Sequence, residues 1–221
     1  MMFWKKKHLH YQLACEQPLN TPICDLSFTV FDTEATGFAV GAKDRLIEIG
    51  AVHVDGLRVS DQTFQTYVNP ERDIPAEITE LTGIRTEDVA EAPTSFEAIE
   101  SFYRYVEHCN SSGWVGHYLA FDILVLKKEL QRQKYSFDEP LAFDTLDLIG
   151  YLNPSWDMRD LEHYALSFGT NIYERHSALG DALTTAHLYV ELLRHLQDRG
   201  KTTLADLLDV TKKEGGRVLP L

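Results

Sequence analysis

The 221-residue sequence predicts an α/β fold, a mixed five-stranded sheet of three antiparallel strands followed by two parallel ones, flanked by helices. Two patterns point there. Between residues 27 and 68, three strand-like runs follow one another with a tight turn between the second and third, as in an antiparallel meander. Beyond residue 75, helical apolar periodicity is interrupted by two short apolar runs, each with helices before and after it, which is how parallel strands are connected.

Residues 1–26 read as a loosely held N-terminal extension, with Pro18 and Pro22 as breakers and Phe3 and Trp4 free to dock on the body or on a partner. A strand follows over 27–34, ending in Asp32-Thr33-Glu34. A loop rich in Gly and Ala leads to Arg45 and a long strand through Val54, enriched in β-branched residues. Asp55-Gly56 makes the hairpin turn, and the return strand runs from Leu57 to Val68 before Asn69-Pro70.

A short helix with proline in its first turn covers Pro75 to Leu81 and is stopped by Gly83. Thr94-Ser95-Phe96-Glu97 is a capping box, and its helix carries Phe96, Ile99, Phe102, Tyr103 and Val106 on one face. Residues 113–117 form a buried strand before a helix over 122–133. Residues 141–144 form another, leading into a helix over 145–152. Helix 159–168 stops at Gly169. The last strong helix, 178–198, aligns Leu179, Leu183, Ala186, Val190 and Leu193. One domain over 27–198 is expected, with 199–221 adding a short helix and a frayed tail at Gly215-Gly216.

The composition, 44% hydrophobic and 11% aromatic, is enough for one sizeable core. A formal net charge of −13 argues against gripping long duplex DNA by neutralising many phosphates, and leaves room for a short, metal-mediated grip. Cys15, Cys24 and Cys109 are widely spaced and odd in number, which fits a reducing cytoplasm rather than a disulfide framework or a zinc site. Lys5-Lys6-Lys7 is followed by interrupted apolar residues, so no signal-peptide core is expected, and no run has the length of a membrane span.

Asp32 and Glu34 project from one face of their strand. Two adjacent negative charges on a half-buried strand are unfavourable unless a cation lies between them, and a divalent metal ion would satisfy both. Carboxylates also mark strand ends for local reasons. The Thr36-Gly37 turn can bring backbone N–H groups to a ligand. Asp122 opens an apolar helix and Asp181 lies in the first turns of the last one, where the helix macrodipole favours an acid whatever its function. His176 stands in the polar lead-in Glu174-Arg175-His176-Ser177, where a histidine is ordinarily a surface residue and Ser177 is a candidate N-cap.

Taken together, Asp32-x-Glu34, Asp122 after Gly116-His117-Tyr118-Leu119-Ala120-Phe121, and His176-Ser177-Ala178-Leu179-Gly180-Asp181 resemble the DEDDh family of 3′-to-5′ exonucleases, over about residues 27–197. Ile47-Glu48-Ile49-Gly50-Ala51-Val52, Leu81-Thr82-Gly83-Ile84 and Phe143-Asp144-Thr145-Leu146 look like its connecting signatures. The family includes the proofreading epsilon subunit of bacterial replicative polymerases, ribonuclease T and oligoribonuclease. The resemblance implies a ribonuclease-H-like fold. It implies that Asp32, Glu34, Asp122 and Asp181 hold two divalent ions, Mg²⁺ or Mn²⁺, with Asp32 bridging, and that His176 is the general base. Hard cations take oxygen ligands, and histidine is mostly neutral near pH 7.

The resemblance further implies that Ala35, Thr36 and Gly37 cradle the 3′-terminal nucleotide and that Phe38, His117 and Tyr118 face the substrate. Two positions depart from the family pattern. Tyr118 stands where Asn is common, either stacking on a base or packing in the core, and Ala35 replaces a common Thr. Phe38 either wedges against the terminal base or covers the core. The expected substrate is the 3′ end of single-stranded nucleic acid, DNA ahead of RNA because the first motif looks closest to the proofreading subunits. A competing reading makes the chain an accessory subunit that docks on a DNA polymerase through the Phe3-Trp4 region or the C-terminal tail.

Overall fold

The structure is a computed structural model that describes residues 7–156 and 160–214. In chain order its elements are β1 (Lys7–His8), a 3₁₀ turn (Ile23–Asp25), β2 (Ser27–Ala35), β3 (Leu46–Asp55), β4 (Arg58–Tyr67), α1 (Ala76–Thr82), α2 (Thr86–Val89), α3 (Ser95–His108), β5 (Gly113–Gly116), α4 (Leu119–Arg132), β6 (Tyr135–Ser136), β7 (Ala142–Asp144), α5 (Thr145–Leu152), α6 (Leu161–Ser167), α7 (Ala178–Asp198) and α8 (Leu204–Glu214). The main sheet has the order β4-β3-β2-β5-β7. β2 pairs antiparallel with β3, and β3 with β4, whereas β5 is parallel to both β2 and β7. The predicted mixed five-stranded sheet is therefore present.

Side-chain alternation along β2 divides the core in two. Phe28 and Val30 join a cluster with Tyr189, Leu193 and Leu196 of α7 and Leu148 and Ile149 of α5. Phe31 points the other way, against Phe102 and Tyr103 of α3 and Trp114 of β5. Asp32 and Glu34 continue the Phe28–Val30 face, so β2 aims them at α7.

Local signals set most boundaries. Thr94 and Glu97 form the predicted capping box, Thr94 N donating to Glu97 Oε2 at 2.9 Å. Gly83 ends α1 at φ 75°. Helix α4 begins at Leu119, three residues ahead of the expected start, because the Asp144 carboxylate accepts hydrogen bonds from the N–H groups of Tyr118 (3.3 Å) and Leu119 (2.9 Å). Asp144 also caps α5 through Leu146 N at 3.0 Å, so one side chain joins β7, α4 and α5.

The expectation of a loosely held N-terminal extension does not hold for residues 7–26. Strand β1 pairs in parallel with β6, Leu9 and Leu13 sink into the α3–α4 side of the core, and Ile23 and Leu26 are fully buried on the α7 side. Burial of four aliphatic side chains offsets the entropy of ordering the segment. Leu204, Leu207 and Val210 of α8 enter that α7-side cluster too. Phe3, Trp4, Arg159 and the Gly215-Gly216 tail lie outside the described residues. Among the described residues, no helix is long and apolar enough to cross a membrane.

Candidate active site

Strand β2 presents Asp32 and Glu34, both partly buried, to the first turn of α7, which carries Asp181. Ligand oxygens of Asp32, Glu34 and Asp181 lie within 4.8 Å of one another, an all-oxygen set suited to a hard divalent ion. The approach of α7 to the sheet depends on two glycines. A Cβ on Gly50, the β3 partner of Asp32, would lie 2.1 Å from Leu179 N, and one on Gly180 would lie 1.9 Å from Glu174 O. Neither position has room for a side chain.

Asp122, buried near the start of α4, is fastened to β2, where Thr33 donates its N–H (2.9 Å) and its hydroxyl (2.6 Å) to Asp122 Oδ1. It lies outside the tight trio, yet its charge acts on both Asp32 and Glu34. Desolvation, then the charges of Asp122 and Glu34, pushes the Asp32 carboxyl well up. Desolvation followed by Glu48 and Asp122 raises Glu34 to about 8. Burial raises Asp122 to about 7 against the Thr33 hydrogen bonds.

These shifts make a prediction for the metal-free chain. Over a range where unfolded carboxyls, with pKa near 4, have lost their protons, the folded acids still hold theirs, so the native state binds more protons and stability falls as pH rises from about 4 to about 8. Thermal unfolding in a chelator is expected to show a lower melting temperature at about pH 8.5 than at about pH 5. Glu34→Gln is expected to flatten that slope.

His176 precedes α7 with φ 60°, a left-handed conformation uncommon outside glycine that histidine adopts more readily than most residues, and its N–H donates to Asp181 Oδ2 at 3.1 Å. Desolvation and the neighbouring Arg175 hold its imidazole below the usual histidine range, and therefore neutral at pH 7. Ser177 occupies the N-cap position as expected, but its hydroxyl caps nothing. Glu48 caps the helix instead, accepting from Ala178 N at 2.9 Å and from Gln65 Nε2 at 2.7 Å. Arg175 Nη1 bonds Asp181 Oδ1.

The proposed cradle is built differently at each residue. Ala35 is buried in the α4-side core. The Thr36 hydroxyl is committed to Asp44 (3.2 Å) and Arg45 N (3.0 Å), so only the backbone of this turn is available to a ligand. Gly37 has φ 149°, and a Cβ there would lie 2.5 Å from Asp44 Oδ2. Phe38 is 88% exposed with its ring 5.8 Å from that of Phe121, which excludes the core-covering alternative. His117 Nδ1 meets Thr145 Oγ1 at 2.7 Å, while its buried Nε2 has no hydrogen-bond partner among the described residues. Burial and Arg175 lower His117 to about 4, leaving it neutral. Tyr118 takes φ 59° at the N-cap of α4, a conformation that suits the Asn common there better than Tyr, and its ring packs edge-on against His117.

Residue-level reasoning missed Glu48, Asp44, Asp144 and Arg175. Glu48 had a readable signal, an acid inside an apolar strand, as for Asp32. Asp44 works through Arg72 and the backbone of Ala39, and beside it Arg45 and Arg132 pair with the buried Glu129. Arg72 lies 28 residues from Asp44 and Arg45 lies 84 from Glu129, so these two pairings left no local pattern.

A mixed sheet whose central strand and last long helix converge three carboxylates, with a fourth held alongside, makes an acidic site of the kind that holds a hard divalent ion. The chain belongs to the RNase_T exonuclease family, whose profile matches residues 29–189. It is 36% identical over 198 residues to a DNA polymerase III subunit epsilon-like protein of Rhodobacter capsulatus, covering 88% of this chain and 28% of the relative. It is 32% identical over 183 residues to the PolC-type DNA polymerase III of Caldanaerobacter subterraneus, covering 83% of this chain and 13% of the relative. The chain thus spans well under half the length of these relatives. Two solved structures share the fold. One is exonuclease X in complex with 5′ overhanging duplex DNA (TM-score 0.63, 21% identity, 83% of this chain and 99% of that one). The other is the nuclease domain of 3′hExo, a DEDDh family member bound to rAMP (TM-score 0.66, 19% identity, 78% and 92%).

Proposed function

We propose that this domain is a 3′-to-5′ exonuclease that hydrolyses the terminal phosphodiester of single-stranded nucleic acid, DNA ahead of RNA, and releases nucleoside 5′-monophosphates. The observation that carries this is the convergence of Asp32, Glu34 and Asp181 in a chain of the RNase_T exonuclease family. Asp32, Glu34, Asp122 and Asp181 would hold two divalent ions, Mg²⁺ or Mn²⁺. When bound, such ions supply Lewis-acid activation of water and charge neutralisation at the leaving 3′-oxygen. A ring nitrogen of the neutral His176 accepts the proton of the attacking water. The backbone of residues 35–37 seats the terminal nucleotide, Phe38 stacks on its base, and His117 and Tyr118 border the substrate.

His176→Asn keeps a side chain that tolerates φ 60° and cannot take a proton at neutral pH. Its single-turnover rate is expected to fall by about 10²- to 10⁴-fold with Mn²⁺ binding intact.

The test of the reading is digestion of 5′-labelled single-stranded DNA, single-stranded RNA and duplex with Mg²⁺ or Mn²⁺. Progressive shortening from the 3′ end, fastest on single-stranded DNA, is expected; no shortening with either metal would sink the proposal, and faster RNA digestion would make it an exoribonuclease.

Residues 27–198 form the catalytic unit in this reading, with the flanking segments supporting it. A second reading, an accessory proofreading subunit, is supported by the polymerase relatives and by the net charge of −13, since a polymerase partner could supply the basic strand channel. Co-purification with a polymerase supports it, and full activity as an isolated monomer counts against it. The free thiols of Cys15, Cys24 and Cys109 support a cytoplasmic setting.

A further inference from the structure

Among the described residues, Arg175 is the cation whose charge acts on Asp32 and Glu34. Its Nη1 is bonded to Asp181 Oδ1, and its charge opposes the upward displacement of both Asp32 and Glu34, each of which otherwise feels only neighbouring carboxylates and burial. Its positive charge lowers His117 and His176 as well. The guanidinium thus sits on Asp181 with its charge felt by four neighbouring side chains of the site.

We propose that Arg175 is the resident counter-ion of the metal-free site and competes with the divalent ion for Asp181, which sets the metal affinity of the enzyme. The inference rests on the metal-dependent reading of this site. An ion that uses Asp181 Oδ1 needs the oxygen to which Arg175 is bonded, and a double positive charge beside the guanidinium repels it. Metal uptake then requires the arginine to let go. The residue is placed to do so: its side chain is 24% exposed and stands on the turn ahead of α7. The pairing keeps the buried Asp181 carboxylate from being left uncompensated before the ion arrives. Arg175 thereby favours folding of the metal-free chain at the expense of metal affinity.

The experiment is calorimetric titration of Mn²⁺ into the metal-free wild-type chain, Arg175→Gln and Arg175→Lys, with thermal unfolding of each in chelator and in saturating Mn²⁺. Arg175→Gln is expected to bind Mn²⁺ about tenfold more tightly than wild type, the equivalent of one charge-assisted hydrogen bond no longer broken on binding. Arg175→Lys, whose ammonium cannot reproduce the guanidinium fork, should fall between them and serves if the glutamine variant does not fold. In chelator Arg175→Gln should melt below wild type, and Mn²⁺ should close that gap. Equal or weaker Mn²⁺ binding by both variants, or a melting gap that Mn²⁺ leaves unchanged, would show that Arg175 only braces the turn. Failure of the wild type to take up Mn²⁺ would remove the nuclease reading together with this one, whereas uptake unaltered in both variants overturns this one alone.

Discussion

Asp32→Asn is expected to lower the single-turnover rate of 3′-end cleavage by about 10³-fold or more while leaving the chain folded. The substitution conserves shape and removes one charge. The ligand oxygen of Asp32 lies within 4.8 Å of those of Glu34, two residues along β2, and Asp181, at the start of α7. An amide oxygen is a poor ligand for a hard divalent ion, and losing several kcal/mol of transition-state charge stabilisation, at about 1.4 kcal/mol per tenfold, gives the stated factor. The same change should help the metal-free fold. Asp32 is pushed up by burial and by three neighbouring carboxylates, so removing its charge relieves repulsion at alkaline pH. A variant that is inactive yet melts at least as high as wild type in chelator at about pH 8.5 is the expected pattern. Rate measurement at saturating Mn²⁺ with parallel melting curves checks both halves.

Gly50→Ala is expected to destabilise the chain by about 3 kcal/mol or more and to cost about 10²-fold in activity. The added methyl group meets backbone rather than a side chain that could swing away. Leu179 N would lie 2.1 Å from it and Ala178 C 2.2 Å. Relief requires α7 to withdraw from β3, carrying Asp181 away from Asp32 and loosening the Glu48 cap on Ala178 N. Gly83→Ala is the control. Its Cβ meets nothing within 4 Å, so the φ of 75° leaves only the left-handed penalty, about 1–2 kcal/mol, and no effect on catalysis. Urea unfolding midpoints and rates for the two variants separate a packing defect at the site from ordinary glycine strain.

The elements that were legible in the sequence obey a period. The alternation of Phe28, Val30, Asp32 and Glu34 places the two acids on the α7 side because successive odd and even residues must face opposite layers, and the helix expected over 178–198 has those bounds in the structure. Asp32 and Glu34 stood out because charge on an apolar strand violates its pattern. Asp122 and Asp181 did not stand out alone, since a helix start accepts an acid for local reasons, and only the order of all the motifs linked them. Leu9 and Leu13 were illegible because isolated apolar residues in a polar stretch carry no period. Their burial comes from packing with residues of α3 and α4 that lie far away in sequence. Arg175 was illegible for a related reason, since an arginine in a polar turn is normally solvated until the fold places acids around it. The Thr36–Asp44 bond shows a further limit: seven residues of loop separate the partners, and the Gly37 turn that closes them has no fixed sequence length.

Crystals of the chain soaked with Mn²⁺ and a nucleoside 5′-monophosphate would test the central claim most directly, through anomalous scattering from the metal. The account predicts Mn²⁺ peaks bounded by Asp32, Glu34 and Asp181, with the nucleotide base against Phe38 and its sugar beside the backbone of residues 35–37. Mn²⁺ bound elsewhere, or no peak between β2 and the first turn of α7 at saturating metal, would contradict it.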